Sequence, residues 1–410
     1  MVVSRPQAVQ ILNDVENGVA PKAFVMAISP RRNPFYESKV RRDVELIGEN
    51  DCSFARVRFL RGSYGDGKTH LLSYIREKCL EQGYLVSTFP ISSRGISFDM
   101  LERALAEMVR TLSAADKREP TGRESVLDFV VRRWSEPLTD PDAVFADAVD
   151  FDRDAKQAVV MLARLLKLPD QNREVIEAAN DWFQAKVRPI AFLRANLGIL
   201  DQLRAANALW VLKFLAQFFV LAGYKGWVVL IDEQEIVSTL LTPRRRELTD
   251  ENLRLLIDEQ GAIPHAYFLF ATTSEFFTDP VRGVNSYPAL KSRVTENNTY
   301  ELPPLSKAEM TEIGKNLKSI YEIAEGVHLE LSDGAIAGLA AMAADRLERR
   351  SARARVFVKA FVKMLRESHQ GRAVDAEQFK TIVDGVYNEV AEEKDTALEQ
   401  LLRRGESQGA

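Results

Sequence analysis

The 410-residue chain contains 46% hydrophobic and 28% charged residues, which is ordinary for a soluble globular protein and excludes a largely disordered or collagen-like chain. Its length predicts more than one compact unit, because single hydrophobic cores stop growing at about 250–300 residues. The net charge of −4 gives no bulk affinity for nucleic acid, so any such binding must come from local clusters.

The cysteine and histidine content argues against disulfide-linked and metal-centred folds. Cys52 and Cys79 are too few for a disulfide framework, and the four histidines show no metal-ligand spacing. No apolar stretch approaches the roughly 20 residues that cross a bilayer, and the N-terminus lacks a basic-then-apolar signal region. We therefore expect a cytoplasmic protein without membrane contacts.

The first 50 residues contain a short helical pattern from Pro6 to Asn17, a break at Pro21 and a basic, proline-punctuated segment. We interpret them as an N-terminal extension that lies against a ligand site in the following domain. From residue 51, apolar runs alternate with helical patterns, as in a parallel sheet. Ala55–Leu60 is the first predicted strand and Tyr84–Phe89 the second.

A phosphate-loop pattern, G-x-x-x-x-G-K-[ST], lies between these two strands. Glycines allow successive backbone N–H groups to point at phosphates, and the following helix adds the positive end of its dipole. Lys68 would reach the β- and γ-phosphates of ATP, and the Thr69 hydroxyl would bind Mg²⁺. The alternative is a chance glycine-rich turn, which the strand before it and the helix after it disfavour. The candidate nucleotide-binding residues are Gly62, Ser63, Tyr64, Gly65, Asp66, Gly67, Lys68, Thr69 and His70.

Residues 98–224 have an almost entirely helical pattern, interrupted near four prolines. A crossover between parallel strands needs far fewer residues, so this segment is predicted to be a helical insertion into the core. Its clearest helices are Leu101–Leu112 and Ala208–Leu221. The aromatic side chains of the second helix favour burial on the sheet over a base-stacking surface.

Asp232 and Glu233 follow the third predicted strand, Trp227–Ile231, whose unbroken apolar run indicates burial on both faces. An acidic pair at this position is typical of a Walker B segment. Asp232 would hold the Mg²⁺ shell, and Glu233 would orient and deprotonate the attacking water. Glu235 is a less favoured base, and the alternative for Asp232 is a helix cap.

Two further candidates lie near the end of the sheet. Thr273 follows the predicted strand Ala266–Ala271, at the edge where open parallel sheets bind ligands. Its hydroxyl, with Thr272 behind it, is a candidate sensor of the γ-phosphate, and the alternative is a plain turn residue. Arg293 precedes the last predicted strand, Thr299–Leu302. It would either reach the γ-phosphate of a neighbouring subunit or pair with a local acid.

The chain from Ser306 onward returns to a helical pattern and ends in a charged tail. Phe357, Phe361 and Leu365 recur every four residues and are predicted to form a buried stripe. Arg355 lies off this stripe and is a candidate to fold back onto the phosphates.

Two arginine clusters are candidates for contact with DNA phosphates. The first is predicted to occupy a loop after the Walker B segment, and the second lies in the C-terminal helical domain. Nearby acids partly cancel the field of the first cluster, and charge-rich helices are usually solvated faces. The candidate residues are Arg244, Arg245, Arg246, Arg349, Arg350 and Arg353.

The order of these motifs resembles AAA+ ATPases of the origin-recognition and initiator branch over about residues 51–388. More narrowly, Phe59–Leu72 and Val15–Pro21 resemble the ATP-binding proteins of bacterial BREX phage-defence systems. The resemblance implies ATP and Mg²⁺ as cofactors, with double-stranded DNA and other defence-system proteins as partners. It also implies a nucleotide-dependent homo-oligomer.

The same resemblance assigns roles to individual residues. It places Arg293 at the arginine-finger position and Arg355 at the second-sensor position. Ala354 stands where that sensor often has a proline. It assigns nucleotide binding and catalysis to Gly62, Gly67, Lys68, Thr69, Asp232 and Glu233.

We therefore expect a three-layer α/β/α P-loop core of the AAA+ type with a large helical insertion and a C-terminal all-helical lid domain. The predicted function is a Mg²⁺-dependent ATPase that couples nucleotide state to DNA in phage defence. The alternative is a nucleotide-dependent protein-assembly switch with weak or no DNA binding, and a metabolic kinase is disfavoured. The predicted boundaries are 1–50 for the extension, 51–305 for the core, 306–390 for the lid and 391–410 for the tail.

Overall fold

The computed structural model describes most of the chain, with side chains up to residue 393. The N-terminal segment contains three helices, α1 (Arg5–Glu16), α2 (Val25–Ile28) and α3 (Arg41–Ile47). The described ranges are 3–90, 98–118, 124–145, 152–168, 172–232, 242–279, 283–348, 350–372 and 375–407.

The described residues contain one six-stranded sheet with the order β3-β2-β4-β5-β1-β6. β2 and β3 are antiparallel, and the other neighbouring strands are parallel. Every residue of β4 and β5 is buried, as their unbroken apolar runs predict. The strands are β1 (Ala55–Arg61), β2 (Leu85–Pro90), β3 (Leu112–Ser113), β4 (Trp227–Asp232), β5 (Ala266–Thr272) and β6 (Thr299–Glu301).

Helices cover both faces of this sheet. Val57 and Phe59 of β1 pack into a core formed largely by the helical insertion. The opposite face, which includes Leu60, packs against α3 and α4 (Lys68–Glu81). The insertion contains α5 (Leu101–Arg110), α6 (Val126–Ser135), α7 (Arg153–Leu166), α8 (Arg173–Phe183), α9 (Ile190–Leu197) and α10 (Ala205–Leu221). After β4 come α11 (Pro243–Asp258), α12 (Glu275–Thr278) and α13 (Pro288–Lys291).

The C-terminal helices form the lid around a separate hydrophobic core. The predicted stripe is confirmed, because Phe357, Phe361 and Leu365 are all fully buried. Within the ranges given above, no helix has the length and apolarity to cross a membrane. The lid helices are α14 (Lys307–Glu325), α15 (Asp333–Arg346), α16 (Arg353–His369) and α17 (Ala376–Ser407).

The first helix of the chain belongs to the lid core. Ala8, Ile11, Leu12 and Val15 on one side of α1 are buried against lid residues. The Arg5 Nε–H also donates a hydrogen bond to the Ala324 carbonyl at 2.9 Å. α1 is therefore a structural part of the lid domain, whereas α3 packs on the sheet.

The predicted fold class, an α/β/α P-loop core with a helical insertion and a helical lid, is confirmed. Two local predictions are wrong. The first insertion helix ends at Arg110, because residues 112 and 113 join the sheet edge as β3. Arg244, Arg245 and Arg246 lie in the first turn of α11 rather than in a loop. Residues 391–407 are helical and continue α17, while the predicted domain boundaries stay predictions.

Candidate nucleotide-binding site

The phosphate loop turns tightly between β1 and α4. Gly65 and Gly67 have φ angles of 79° and 98°, in the left-handed region that glycine adopts without strain. The Ser63 N–H donates to Asp66 Oδ2 at 2.8 Å and closes the turn. A Cβ atom on Gly65 would lie 2.6 Å from the Cβ of Ala352 in the lid, so glycine is also required there for packing.

Lys68 begins α4 and is 9% exposed. Its Nζ donates hydrogen bonds to the carbonyl oxygens of Gly62 at 2.8 Å and Ser63 at 3.1 Å. The ammonium group thus lies at the start of the phosphate loop. The lysine of this motif binds the phosphates together with the loop backbone. This arrangement fits the predicted role of Lys68.

Thr69 and Asp232 meet at the carboxyl edge of the sheet, although 163 positions separate them. The Thr69 hydroxyl donates to Asp232 Oδ2 at 2.6 Å, and Asp232 is 8% exposed. Parallel strands bring their carboxyl ends to one edge, which explains the meeting. The pair supplies a hydroxyl and a carboxylate oxygen, the donors that Mg²⁺ prefers in phosphate-binding sites.

This donor set fits Mg²⁺ held jointly by protein and nucleotide. Within the described ranges, no cluster of three His, Cys, Asp or Glu residues could hold a metal alone. Mg²⁺ in phosphate-transfer sites usually binds one or two protein groups and takes its other ligands from phosphates and water. Thr69 and Asp232 are the residues that would hold it.

Of the other predicted site residues at the ends of β4 and β5, the structure describes Thr272 and Thr273. Glu233 and Glu235 lie outside the described residues. Thr272 is fully buried, and its hydroxyl donates to the Thr273 carbonyl at 2.9 Å. The Thr272 carbonyl accepts from the Gly62 N–H at 3.2 Å, which places the end of β5 directly beside the phosphate loop. Thr273 is partly exposed at this edge, and its sensor role stays a prediction.

Arg355 connects the lid to the phosphate loop, and its predicted contact with the nucleotide phosphates stays a prediction. Its Nη1 donates to the Tyr64 hydroxyl at 2.6 Å, and its guanidinium carbon lies 5.4 Å from the Tyr64 ring centroid. The Arg355 N–H also donates to the Gly65 carbonyl at 3.2 Å. Glu393 of α17 accepts from Arg355 Nη2 at 2.9 Å and from Lys359 at 2.9 Å.

Gly18 provides a contact that the sequence analysis missed. It has a φ of 66°, and a Cβ atom on it would lie 2.2 Å from Arg355 Nη2. Gly18 thus allows the Arg355 side chain to pass close to the N-terminal segment. The sequence signals were a glycine shortly before Pro21, which by itself indicates a turn, and its place in the Val15–Pro21 segment that carries the family resemblance.

His70 connects the loop helix to the N-terminal segment. Ser29 Oγ lies 2.8 Å from the Val25 carbonyl oxygen and 2.8 Å from His70 Nε2, within hydrogen-bond distance of both. Burial lowers the pKa of His70 to about 4. The imidazole is therefore neutral at pH 7.

The His70 environment predicts a loss of stability in acid. Between an unfolded pKa of about 6.5 and the folded value of about 4, only the unfolded state binds the proton, so stability falls as pH drops through this window. By pH 5 the loss should reach up to about 2 kcal/mol. His70→Gln should lose less than the wild type when urea midpoints are compared at pH 7.5 and pH 5. His328→Gln, which changes an exposed histidine, is the control. Equal losses in the wild type and His70→Gln would contradict the assignment.

Arg293 forms a forked ion pair within the chain. Its Nε and Nη2 donate to the two carboxylate oxygens of Asp258 at 2.9 and 3.2 Å. These hydrogen bonds raise the pKa of Arg293. The alternative of a local acid partner is thus observed, while the contact with a neighbouring subunit stays a prediction.

Acidic partners surround the arginines of α11. Arg245 pairs with the buried carboxylate of Asp99 at 2.6 Å, and Arg244 lies 3.4 Å from Glu247. Burial raises the pKa of Asp250 to about 7, against the lowering effect of the Arg246 charge. Arginine in the first turn of a helix opposes the helix dipole, and these acids offset that cost.

The second cluster is also paired. Asp384 accepts from Arg346 at 2.7 Å and from Arg350 at 2.9 Å, and hydrogen bonding to Arg346 lowers the pKa of Asp384. Arg353 Nε donates to the Arg350 carbonyl at 3.1 Å. Arg349 lies outside the described residues. The DNA role of both clusters stays a prediction, with part of their charge already neutralised.

The family model for the BREX system ATP-binding protein BrxC/D matches residues 3–383. A search of curated proteins found no match. Among solved structures, the chain is similar to the crystal structure of Cdc6p from Pyrobaculum aerophilum, with a TM-score of 0.40 and 12% identity. That match covers 84% of this chain and 65% of that protein, so the chain spans less than two thirds of its length. The family match confirms the resemblance predicted from residues 15–21 and 59–72.

Proposed function

Because the chain belongs to the BREX system ATP-binding protein BrxC/D family, we propose that it is a Mg²⁺-dependent ATPase that couples nucleotide state to DNA binding in phage defence. The family supports nucleotide binding and membership of a multi-protein defence system. Hydrolysis, the metal and the DNA partner are the parts that we add.

The observation that carries this proposal is the hydrogen bond between Thr69 and Asp232. A phosphate-loop hydroxyl and a strand-end carboxylate lie 2.6 Å apart beside Lys68. A nucleotide-binding protein without hydrolysis needs the loop, but a buried carboxylate at this position has a direct use in phosphoryl transfer. The alternative of Asp232 as a helix cap gives no reason for its contact with Thr69.

Each residue of the site has a role in this proposal. The loop N–H groups and Lys68 would bind the phosphates, and Arg355 would bring the lid onto them. When bound, Mg²⁺ would neutralise the charge that develops on the phosphates. Glu233 would hold the attacking water and accept its proton.

We further propose a homo-oligomer in which Arg293 completes the site of a neighbouring subunit. Turnover per protomer should then rise with protein concentration, and Arg293→Ala should reduce the assembled rate by about 10³-fold. Steady-state hydrolysis over a dilution series measures both effects. Asp258→Asn is the matched control, because it breaks the same ion pair but keeps the arginine. A wild-type rate that does not change on dilution, or equal losses in both variants, would contradict the finger role.

A protein-assembly switch is the second candidate, and the pairing of the α11 and lid arginines favours it. Cations already bound to Asp99 and Asp384 contribute less to DNA affinity than free ones. In this version, the contact of Arg355 with Tyr64 and Glu393 would transmit nucleotide state to α17 and a partner protein.

Steady-state ATP hydrolysis, with and without double-stranded DNA at 50 and 200 mM salt, separates the two candidates. Stimulation by DNA that fades with salt supports the DNA-coupled ATPase. Turnover that ignores DNA but responds to another defence-system protein supports the switch. An absence of hydrolysis under all of these conditions would reject the ATPase.

A further inference from the structure

A second basic site lies on the sheet face opposite the helical insertion. It is a surface cavity of about 290 Å³ between the N-terminal segment, β1 and β6. Its lining includes four cationic side chains and one carboxylate, Asp43, in a chain whose net charge is −4. The cationic residues are Lys39, Arg42, Arg56 and Arg58. We call this cavity the α3–β1 pocket.

The single carboxylate is already occupied by partners in the pocket wall. Arg58 donates to both Asp43 oxygens, at 2.6 and 3.1 Å, and the Tyr300 hydroxyl lies 2.7 Å from Asp43 Oδ2. Asp43 is 6% exposed, so its charge is largely compensated inside the wall. Lys39, Arg42 and Arg56 therefore leave the pocket with excess positive charge.

Arg56 leaves an additional hydrogen-bond donor unused. Its Nε is buried and has no hydrogen-bond partner among the described residues. It lies 3.8 Å from Asp43 Oδ1, which is beyond normal hydrogen-bond distance. The Arg56 side chain is 35% exposed, so its guanidinium group adds positive charge to the pocket wall.

The pocket is separate from the nucleotide site. β1 runs from Arg56, near its amino end, to the phosphate loop at Gly62, a distance of roughly 20 Å at about 3.3 Å per residue. The Tyr300 ring, the aromatic group of the lining, packs edge-on against Phe35 and lies 5.7 Å from the Arg58 guanidinium carbon. Its hydroxyl is engaged with Asp43, and the lining contains four cations and this one aromatic ring, which favours recognition of phosphate.

We propose that the α3–β1 pocket binds a backbone phosphate of double-stranded DNA. The inference rests on the proposed DNA-coupled function and gives it a contact site different from the α11 and lid arginines. Arg42 and Lys39 are exposed and reach the ligand first, while the partly exposed Arg56 adds its charge behind them. Phosphate contacts of this kind position a protein on DNA without reading sequence.

The test uses the Lys39→Gln/Arg42→Gln double variant of the full chain, with Arg56→Gln as a second variant. DNA affinity is measured by fluorescence anisotropy with a duplex of arbitrary sequence between 50 and 200 mM salt. We expect the double variant to lose about tenfold in affinity and to reduce the slope of log affinity against log salt by about 2. Arg153→Gln/Arg173→Gln removes the same charge from the opposite sheet face as the matched control.

Three outcomes would overturn the pocket assignment. If the wild type binds DNA and both double variants bind it with the same affinity, the pocket is rejected and the DNA-coupled function stands. Wild-type failure to bind DNA, with ATP hydrolysis intact, would reject both the pocket and the DNA part of that function. Pocket-dependent binding of tripolyphosphate without DNA binding would assign the pocket to a free anion. Unchanged binding of a fluorescent ATP analogue in all variants shows that the nucleotide site is intact.

Discussion

Lys68→Ala should reduce ATP affinity, turnover or both by at least about 10²-fold. Lys68 is nearly buried, and its Nζ lies against the Gly62 and Ser63 carbonyls at the start of the phosphate loop. Removing one preorganised donor to a developing charge typically costs 10²–10³-fold in rate, and this lysine also contributes to binding. Calorimetric titration with ATP and steady-state hydrolysis measure the two parts separately.

Lys78→Ala is the matched control, because it removes the same charge from the other end of α4. Lys78 pairs with the exposed Glu81 at 3.1 Å, and such surface pairs contribute little. The control should keep ATP binding and turnover close to wild type. Normal hydrolysis in Lys68→Ala would refute the assignment of the nucleotide site.

Glu233→Gln should keep ATP binding and reduce turnover by about 10²–10⁴-fold. The amide preserves the size of the side chain but cannot accept the proton of the attacking water. A loss of turnover without a loss of binding indicates an interaction made only in the transition state. The measurement is single-turnover hydrolysis together with equilibrium binding of ATP.

Glu235→Gln distinguishes the two candidate bases. It makes the same chemical change two positions later, so an unspecific effect of losing one carboxylate would appear in both variants. We expect Glu235→Gln to hydrolyse ATP at close to the wild-type rate. The reverse result would assign the role of base to Glu235. Full activity in both variants would show that neither carboxylate is the base.

The sequence predicts the core of this fold because local and tertiary preferences agree there. The runs before Asp232 and Thr273 are long, apolar and bounded by polar residues, so burial and strand formation favour the same structure. The meeting of Thr69 with Asp232 follows from the parallel arrangement, in which the carboxyl ends of strands share one edge. The motifs assign both residues to Mg²⁺, and the topology rule explains why their side chains lie together.

The missed features depend on tertiary contacts. β3 is only two residues long and exists through its pairing with Val86 and Ser87, which no local pattern indicates. The arginines of α11 oppose its dipole, but Leu253, Leu256 and Ile257 on the same helix are buried and determine its structure. The passage of Arg355 over Gly18 joins positions more than 300 residues apart, and no local pattern indicates which residue Gly18 meets.

The burial of α1 in the lid has a consequence for how the protein is made. The apolar face of α1, with Ile11 and Leu12, leaves the ribosome about 300 residues before its partners on α14. At about 5–20 residues per second, this face has no native partner for roughly 15 to 60 s. During this time the helix is an exposed amphipathic segment. Closure of this loop of about 300 residues, which is entropically costly, is delayed until the lid has been translated.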